Sequence, residues 1–427
     1  MFRYFITSTK LILTNCIYQR LIGDWDKEGF RKYFKNTGWI FTAKVVTLIV
    51  SFFTMAIVAR YLGPENLGKI RYAQSFTSLF SVFAALGLNQ ILYRELIAKP
   101  DQEEKLLGTV ILTKFIFGVI TFLVTTLVVY QINTDPIITW LVGIIALSFI
   151  FQPAGTVSHV FNARVLSKYP AYVTIASALL MPALKILVIF LDKGILFFAA
   201  VIAFEALFYS AVHIYLYVTV IRGNPRSWTF SYPVFKYLLH HSWPLMLVGT
   251  TNYIYARVDQ IMLQHFVNSV AVGLYDVAVR LTELLGFIPG MIIGSLFPAI
   301  VNAKKTSAEE YTKRLRTLTI LCLGISVTLA SIIFLLAPLI IHTLFGDAFN
   351  ESIKIVRIYV WSNIGTVALI LVSNYLIIEK RSHLFLIFTI FSALLNVCLN
   401  IILIPRFGVE GAAYATVATL VATIILF

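Results

Sequence analysis

The sequence predicts an all-α polytopic membrane protein with about twelve transmembrane helices in two six-helix halves. Three observations predict it. The chain is 59% hydrophobic and 13% charged, with a mean hydropathy of +0.86. A soluble domain is about 45–50% apolar and about 25% charged, so the charges here are too few to cover a globule. Apolar runs of about 20 residues, enough to cross about 30 Å of hydrocarbon as a helix, recur between short polar breaks. The runs are continuous and not alternating, which excludes a barrel, the other fold that satisfies its backbone in lipid.

The elements follow in order. Residues 1–37 hold Asp24, Asp26, Glu28 and seven basic residues with no small-residue cleavage site after them, and read as a cytoplasmic basic arm. Spans are expected at about 38–62, 71–93, 106–130, 136–160, 169–191 and 194–221, forming an N-terminal lobe over 38–221. A cytoplasmic linker over 222–242 leads to a C-terminal lobe over 243–427. Its spans are expected at about 243–266, 273–301, 317–345, 353–378, 384–404 and 411–427. The chain stops at Phe427 inside an apolar run without a basic flank, which predicts a marginal last span and a longer parent protein.

With the N-terminus inside, 22 of the 34 Lys and Arg fall on cytoplasmic stretches and seven on outer ones. Arg60, Lys69 and Arg71 are counted among the outer seven. That asymmetry orients the chain with a cytoplasmic N-terminus. It also accounts for the net charge of +14 without nucleic acid as a partner. The halves repeat: Leu67-Gly68 and Ala73 correspond to Val272-Gly273 and Ala278, and Ala178-Leu179-Leu180 to Ala393-Leu394-Leu395. Both copies enter from the same side, so a substrate site is expected between parallel repeats, near the midplane.

Charges in hydrocarbon cost at least about 2.5–3.5 kcal/mol each and face a cavity or a partner. The intramembrane cations are Lys44, Lys114, Lys185, Arg257 and Arg280; the anions are Glu205, Asp259, Asp276 and Glu283. Cations at two depths suit an anionic substrate, because Lys and Arg are the natural ligands of phosphate oxygens. Local alternatives stand beside this. Lys44 can snorkel to headgroups, and Arg280 has Asp276 at i−4 and Glu283 at i+3. Arg257 and Asp259, two apart on one helix, need partners elsewhere. Glu205 and Asp259 are candidates for coupling Na+ or H+, with Asn396 and Asn400 offering amide oxygens one turn apart. Interhelical hydrogen bonding is the other use of such asparagines.

Pro153, Pro182, Pro244 and Pro289 mark bends, and Gly286, Gly290 and Gly294 permit close helix approach. Cys16, Cys322 and Cys398 make no disulfide or metal spacing, and Asp24-Trp25-Asp26 is a chance metal-like match outside any α/β domain. No nucleophile–base pair, phosphate loop or metal cluster emerges, so a transporter is expected and not an enzyme, with no cofactor.

Three segments carry a resemblance. Ala59-Arg60-Tyr61-Leu62-Gly63-Pro64-Glu65-Asn66-Leu67-Gly68, with Gly87-Leu88 and Arg94-Glu95-Leu96, resembles the first hairpin of Wzx-type polysaccharide flippases. Asp259-Gln260-Ile261-Met262-Leu263, then Val272-Gly273-Leu274-Tyr275, Ala278, Arg280-Leu281 and Glu283, resembles the start of that family's second half. Pro405-Arg406-Phe407-Gly408 with Gly411-Ala412-Ala413 resembles its last hairpin.

The family belongs to the multidrug/oligosaccharidyl-lipid/polysaccharide exporter superfamily. The resemblance implies a V-shaped pair of lobes around a central cavity, in a bacterial inner membrane. It implies flipping of an undecaprenyl-pyrophosphate-linked oligosaccharide for O-antigen, capsule or exopolysaccharide biosynthesis, beside polymerase and chain-length partners. A cation-coupled multidrug exporter and a lipid II flippase are the alternatives within the superfamily. A glycan polymerase is a third, disfavoured because no outer loop is long enough for an acceptor domain.

Overall fold

The structure, a computed structural model, describes residues 27–426. Most of the basic arm, with Cys16 and Asp24-Trp25-Asp26, and the terminal Phe427 lie outside the described residues. Helix α1 (Lys27–Ala85) carries the first two spans without a loop between them. Its only non-helical residue is Gly63, at φ 69° and ψ 174°, a conformation open to glycine at little cost. Pro64 follows, where a missing N–H is harmless at the start of a new helical arm. The outer stretch expected between spans 1 and 2 is therefore helical, and Arg71 stands about 10 Å along the second arm instead of in a loop.

The N-terminal half continues through α2 (Leu88–Ala98), α3 (Glu103–Ile132), α4 (Pro136–Ala146), α5 (Ser148–Gly155), α6 (Ser158–Ala163), α7 (Lys168–Phe190) and α8 (Ile195–Leu216). The C-terminal half comprises α9 (Tyr232–Phe266), α10 (Ser269–Thr306), α11 (Ala308–Ile340), α12 (Ser352–Tyr359), α13 (Ser362–Ile378), α14 (Ser382–Phe407) and α15 (Val409–Ile425). Side-chain caps set several starts. Asp135 accepts from the Ile137 amide before Pro136, Asn268 from that of Ala271, and Ser307 from that of Glu310, each supplying a partner to an orphan helix N–H.

Polar breaks alternate between two ends of the bundle. One end joins Asn36 to Ser167 at 2.9 Å, Arg164 to Glu103 at 2.7 Å, Tyr237 to Glu95 at 3.0 Å and Lys304 to Glu379 at 2.7 Å. The opposite end joins Tyr61 to Asp192 at 2.7 Å, Lys69 to Asp135 at 3.0 Å and Lys354 to Glu410 at 2.6 Å. Such alternation means that the chain crosses the bundle between successive breaks. Among the described residues nine helical stretches are long and apolar enough to span a membrane, the first (Asn36–Ala98) crossing twice through Gly63. The more polar α9 and the 17-residue α15 hold the seventh and twelfth expected spans. This is a multi-pass membrane protein.

The halves close on each other at the second end. The largest apolar core lies there and draws on both, with Ala59, Leu67 and Ala73 beside Val272, Tyr275 and Phe349. Gly68 and Gly273, the glycines of the internal repeat, meet at this seam. A Cβ on Gly68 would overlap the Ser269 carbonyl oxygen, and one on Gly273 the Pro64 carbonyl oxygen. Small residues thus let the two backbones touch.

Candidate functional site

A cavity of about 840 Å³ lies within this frame. Most of its wall comes from α1, α7 and α8, and α10 supplies the remaining side through Arg280, Glu283, Leu284 and Phe287. It extends from Ile40, Lys44, Asn162 and Ser167, near the first end, to Arg71 and Gln74 on the second arm of α1. Its walls are largely apolar, interrupted by hydroxyl and amide side chains, and its charged groups are mostly basic: Lys44, Arg71, Lys185 and Arg280 against Glu205 and Glu283.

The structure brings three of the five expected cations to this cavity: Lys44, Lys185 and Arg280. Lys44 and Lys185 make no ion pair among the described residues, which leaves both ammonium groups available to an anion. Arg280 lies on Glu283 at 2.9 Å and on Asp276 at 3.5 Å. Arg257 stands just outside the lining, 3.7 Å from Glu283 of α10. Glu205 lines the same cavity and accepts from Ser177 at 3.0 Å; it is not beside Asp259.

Lys114 goes elsewhere. It is buried between α2, α3 and α5, donating to Asn89 Oδ1 at 2.9 Å and to Thr156 Oγ1 at 2.8 Å. Its depth was legible in the sequence, but the inward face of α3 at that level packs on other helices of its own half and not on the cavity.

Arg71 is the cavity cation that sequence reasoning missed. Its Nε is 2.7 Å from Asp276 Oδ2, and its Nη1 donates to Gln74 at 2.8 Å. Asp276 is fully buried behind the cavity wall. It also accepts from Gln260 Nε2 at 3.1 Å, and Gln260 in turn accepts from Ser75. Acid and base here come from opposite halves of the molecule, so the local pair expected between Asp276 and Arg280 is only part of the arrangement. The signal was available: a proline directly after a glycine can start a helix, and it placed Arg71 inside the bundle.

A second polar centre lies inside the C-terminal half. Asp259 accepts from Asn400 Nδ2 at 2.6 Å, from the Tyr275 hydroxyl at 2.7 Å and from Thr416 at 2.8 Å. Asn400 Nδ2 also donates to Asn396 Oδ1 at 3.0 Å. All four helices of the cluster (α9, α10, α14 and α15) belong to one half, and every member is buried. Among the described residues Asn400 Oδ1 and Asn396 Nδ2 have no hydrogen-bond partner. Turned over about its last torsion, Asn400 would aim an oxygen at those of Asp259 and Asn396. A cation between them, or a proton on Asp259, would stabilise that set, and carboxylate, amide and hydroxyl oxygens are what a hard cation takes. Thr416 and Tyr275 were not anticipated; both lie on spans whose depth matches Asp259, which is a weak signal in apolar sequence.

Comparison with known proteins returns a consistent group. A family model described as polysaccharide biosynthesis protein matches residues 33–304. The chain is 22% identical to the "Probable low-salt glycan biosynthesis flippase Agl15" of Haloferax volcanii, over 88% of this chain and 79% of that protein. It is 19% identical to the capsular polysaccharide biosynthesis protein CapF of Staphylococcus aureus, over 91% and 97%. A match at 30% identity to the "Probable flippase AglR" of Haloferax volcanii covers 39% of this chain and 36% of that protein. Among solved structures, the lipid II flippase MurJ in an inward closed conformation aligns with a TM-score of 0.75 at 15% identity, over 92% and 86%. An inward-facing multidrug resistance MATE family transporter aligns with a TM-score of 0.67 at 16% identity, over 89% and 92%. At these identities the structural likeness is one of fold.

Proposed function

The chain belongs to the polysaccharide biosynthesis protein family, and from that premise we propose that it is a flippase. In this reading it carries an undecaprenyl-pyrophosphate-linked oligosaccharide from the cytoplasmic to the outer leaflet of a bacterial inner membrane. Alternating access moves the cargo, and no bond is made or broken. The excess of Lys and Arg on its breaks supports taking the first end of the bundle as cytoplasmic, with the N-terminus on that side.

The observation that carries the reading is the basic cavity. An unpaired sugar hydroxyl left in hydrocarbon costs roughly 2–7 kcal/mol, so the glycan needs an aqueous path, whereas the polyprenyl tail is at home in lipid. Lys44 stands near the cytoplasmic mouth and Arg71 and Arg280 lie deeper, a graded set of ligands for a pyrophosphate. Lys185, free of any ion pair among the described residues, is the strongest single candidate. The apolar wall suits the tail and the flat faces of sugar rings.

Energy for the cycle is assigned to a cation gradient acting at Asp259, Asn396, Asn400 and Thr416, whose oxygens would hold Na+; a proton on Asp259 is the other coupling. Glu205, in the cavity wall, is better placed to meet cargo than to hold that ion. A polymerase that consumes the outer-leaflet product is the expected neighbour.

Deletion of the gene, followed by analysis of surface polysaccharide and lipid-linked intermediates, tests the proposal. Loss of surface glycan with complete repeat units trapped on the cytoplasmic leaflet, restored by the gene, is the expected result. Intact surface glycan together with altered sensitivity to toxic cations overturns it in favour of multidrug export.

A further inference from the structure

The seam that closes the outer end is more than apolar contact. Immediately beside the Gly68–Gly273 approach, Arg71 of the N-terminal half holds Asp276 of the C-terminal half at 2.7 Å. Ser75 of the N-terminal half reaches Gln260 of the C-terminal half, and Gln260 donates to the same Asp276. Every link in this chain except Arg71 is buried, and Arg71 alone among them faces the cavity.

For the outer end to open, the halves must part at this seam, and the Arg71–Asp276 pair must break. A buried charge stripped of its partner is strongly disfavoured, so an empty cavity keeps the seam shut. A phosphate oxygen arriving from the cavity changes this. It offers Arg71 a bidentate, charge-assisted partner, while Arg280, already 3.5 Å from Asp276, stays as the counter-charge of the carboxylate that Arg71 leaves.

The geometry points to Asp276 as an internal competitor of the cargo. It holds Arg71 across the seam until a pyrophosphate takes that guanidinium, and the cargo's own head group thereby releases the outer gate. The inference rests on the flippase reading for the identity of the anion, but the bolt itself does not. It makes outward opening conditional on cargo, which would prevent the coupling ion from driving empty cycles in that direction. Asp276 is a gating residue here, since it need not touch cargo.

The experiment uses the full chain with its cysteines replaced and Ser51, a cavity-lining exposed residue at some distance from the seam, changed to cysteine as reporter. In sealed right-side-out vesicles, a membrane-impermeant thiosulfonate added outside reads opening of the outer gate. Without ligand, labelling is slow. Undecaprenyl pyrophosphate in the vesicle lipid raises the rate at least fivefold, and the uncharged undecaprenol does not. Asp276→Asn labels at least fivefold faster than the parent without ligand and gains little more from the pyrophosphate. Arg71→Lys, which keeps the charge, stays slow without ligand and shows that the seam tolerates substitution.

The proposal is overturned if the pyrophosphate lipid binds the purified protein yet leaves the labelling rate unchanged. It is equally overturned if Asp276→Asn reaches the membrane at the normal level and labels as slowly as the parent. Absence of any pyrophosphate-lipid binding overturns the cargo reading and the cargo trigger with it, and the Asp276→Asn rate then decides the bolt alone.

Discussion

Asn400 donates its side-chain amide to Asp259 Oδ1 at 2.6 Å, joining α14 to α9 across the interior of the C-terminal half. The contact is short and buried. A bound cation would have to rearrange it together with the Asn400–Asn396 bond, because the same amide nitrogen now stands where an oxygen would be needed.

If the cluster takes Na+, the ion stabilises the folded protein by mass action. At ten times the dissociation constant the gain is about 1.4 kcal/mol. Wild-type protein should therefore melt higher in sodium than in choline at equal ionic strength, and Asp259→Asn should melt identically in the two. An equal response in wild type and variant would remove Asp259 from ion coupling.

Lys44→Ala and Lys185→Ala should cut glycan export while leaving the protein at its normal level in the membrane. Among the described residues neither ammonium lies within ion-pair distance of an acid, and Glu205, the acid that acts on Lys185 through space, is exposed, so their loss strands no buried acid. A charge-assisted contact to phosphate contributes about 1.5–3 kcal/mol, which corresponds to a loss of roughly tenfold to a hundredfold in cargo affinity. Export assayed by surface polysaccharide, with membrane level read in parallel, separates this outcome from misfolding.

Lys114→Met should behave differently. Lys114 touches Asn89 and Thr156 and not the cavity. Lys114→Met removes the desolvation cost of a buried ammonium and leaves the Asn89 and Thr156 oxygens without their donor. Any effect should fall on stability, and export per molecule in the membrane should persist. A loss of export at normal protein level would return Lys114 to the cargo path.

Gly68→Ala and Gly273→Ala test the seam from its backbone side. An added methyl at either position must push two main chains apart, so both variants should raise labelling of the Ser51→Cys reporter from outside. Gly290→Ala, whose added carbon meets nothing within 4 Å, should leave the rate unchanged.

At the first end of the bundle, Lys304 beside Glu379 holds that carboxyl below the ordinary carboxylate range, with the Tyr311 hydroxyl also donating to it. The folded state therefore favours the ionised form. This contribution is fully present above the ordinary value of 4.5 and is lost as pH falls through the lower, folded value. Acidification across that range should lower the melting temperature of the wild type more than that of Glu379→Gln. High salt should shrink the difference, because the pair is partly exposed.

Much of the architecture was legible before any coordinates. Span length is a local property: a helix must be apolar for the thickness of the bilayer, and that demand is written residue by residue from about 38 onward. The pairing of Gly68 with Gly273 was likewise visible as an internal repeat, and the fold places the two glycines against each other. The chemistry of the oxygen cluster was readable in part, since Asn396 and Asn400 share a helix face and Asp259 lacks a local partner.

Partner choice was not local. Arg280 has two acids within a turn, yet Asp276 is taken first by Arg71, from a helix some 200 residues earlier in the chain. Lys114 and Lys185 look alike in sequence, both deep and both without a nearby acid, and only packing separates a buried lysine from one that faces the cavity. The physical reason is the same in each case. In a membrane the apolar pattern says how deep a residue lies but hardly which way it faces, because lipid and the packed interior are both apolar. Facing, and with it the division between cavity, gate and ion cluster, is settled when the two halves close around Gly68 and Gly273.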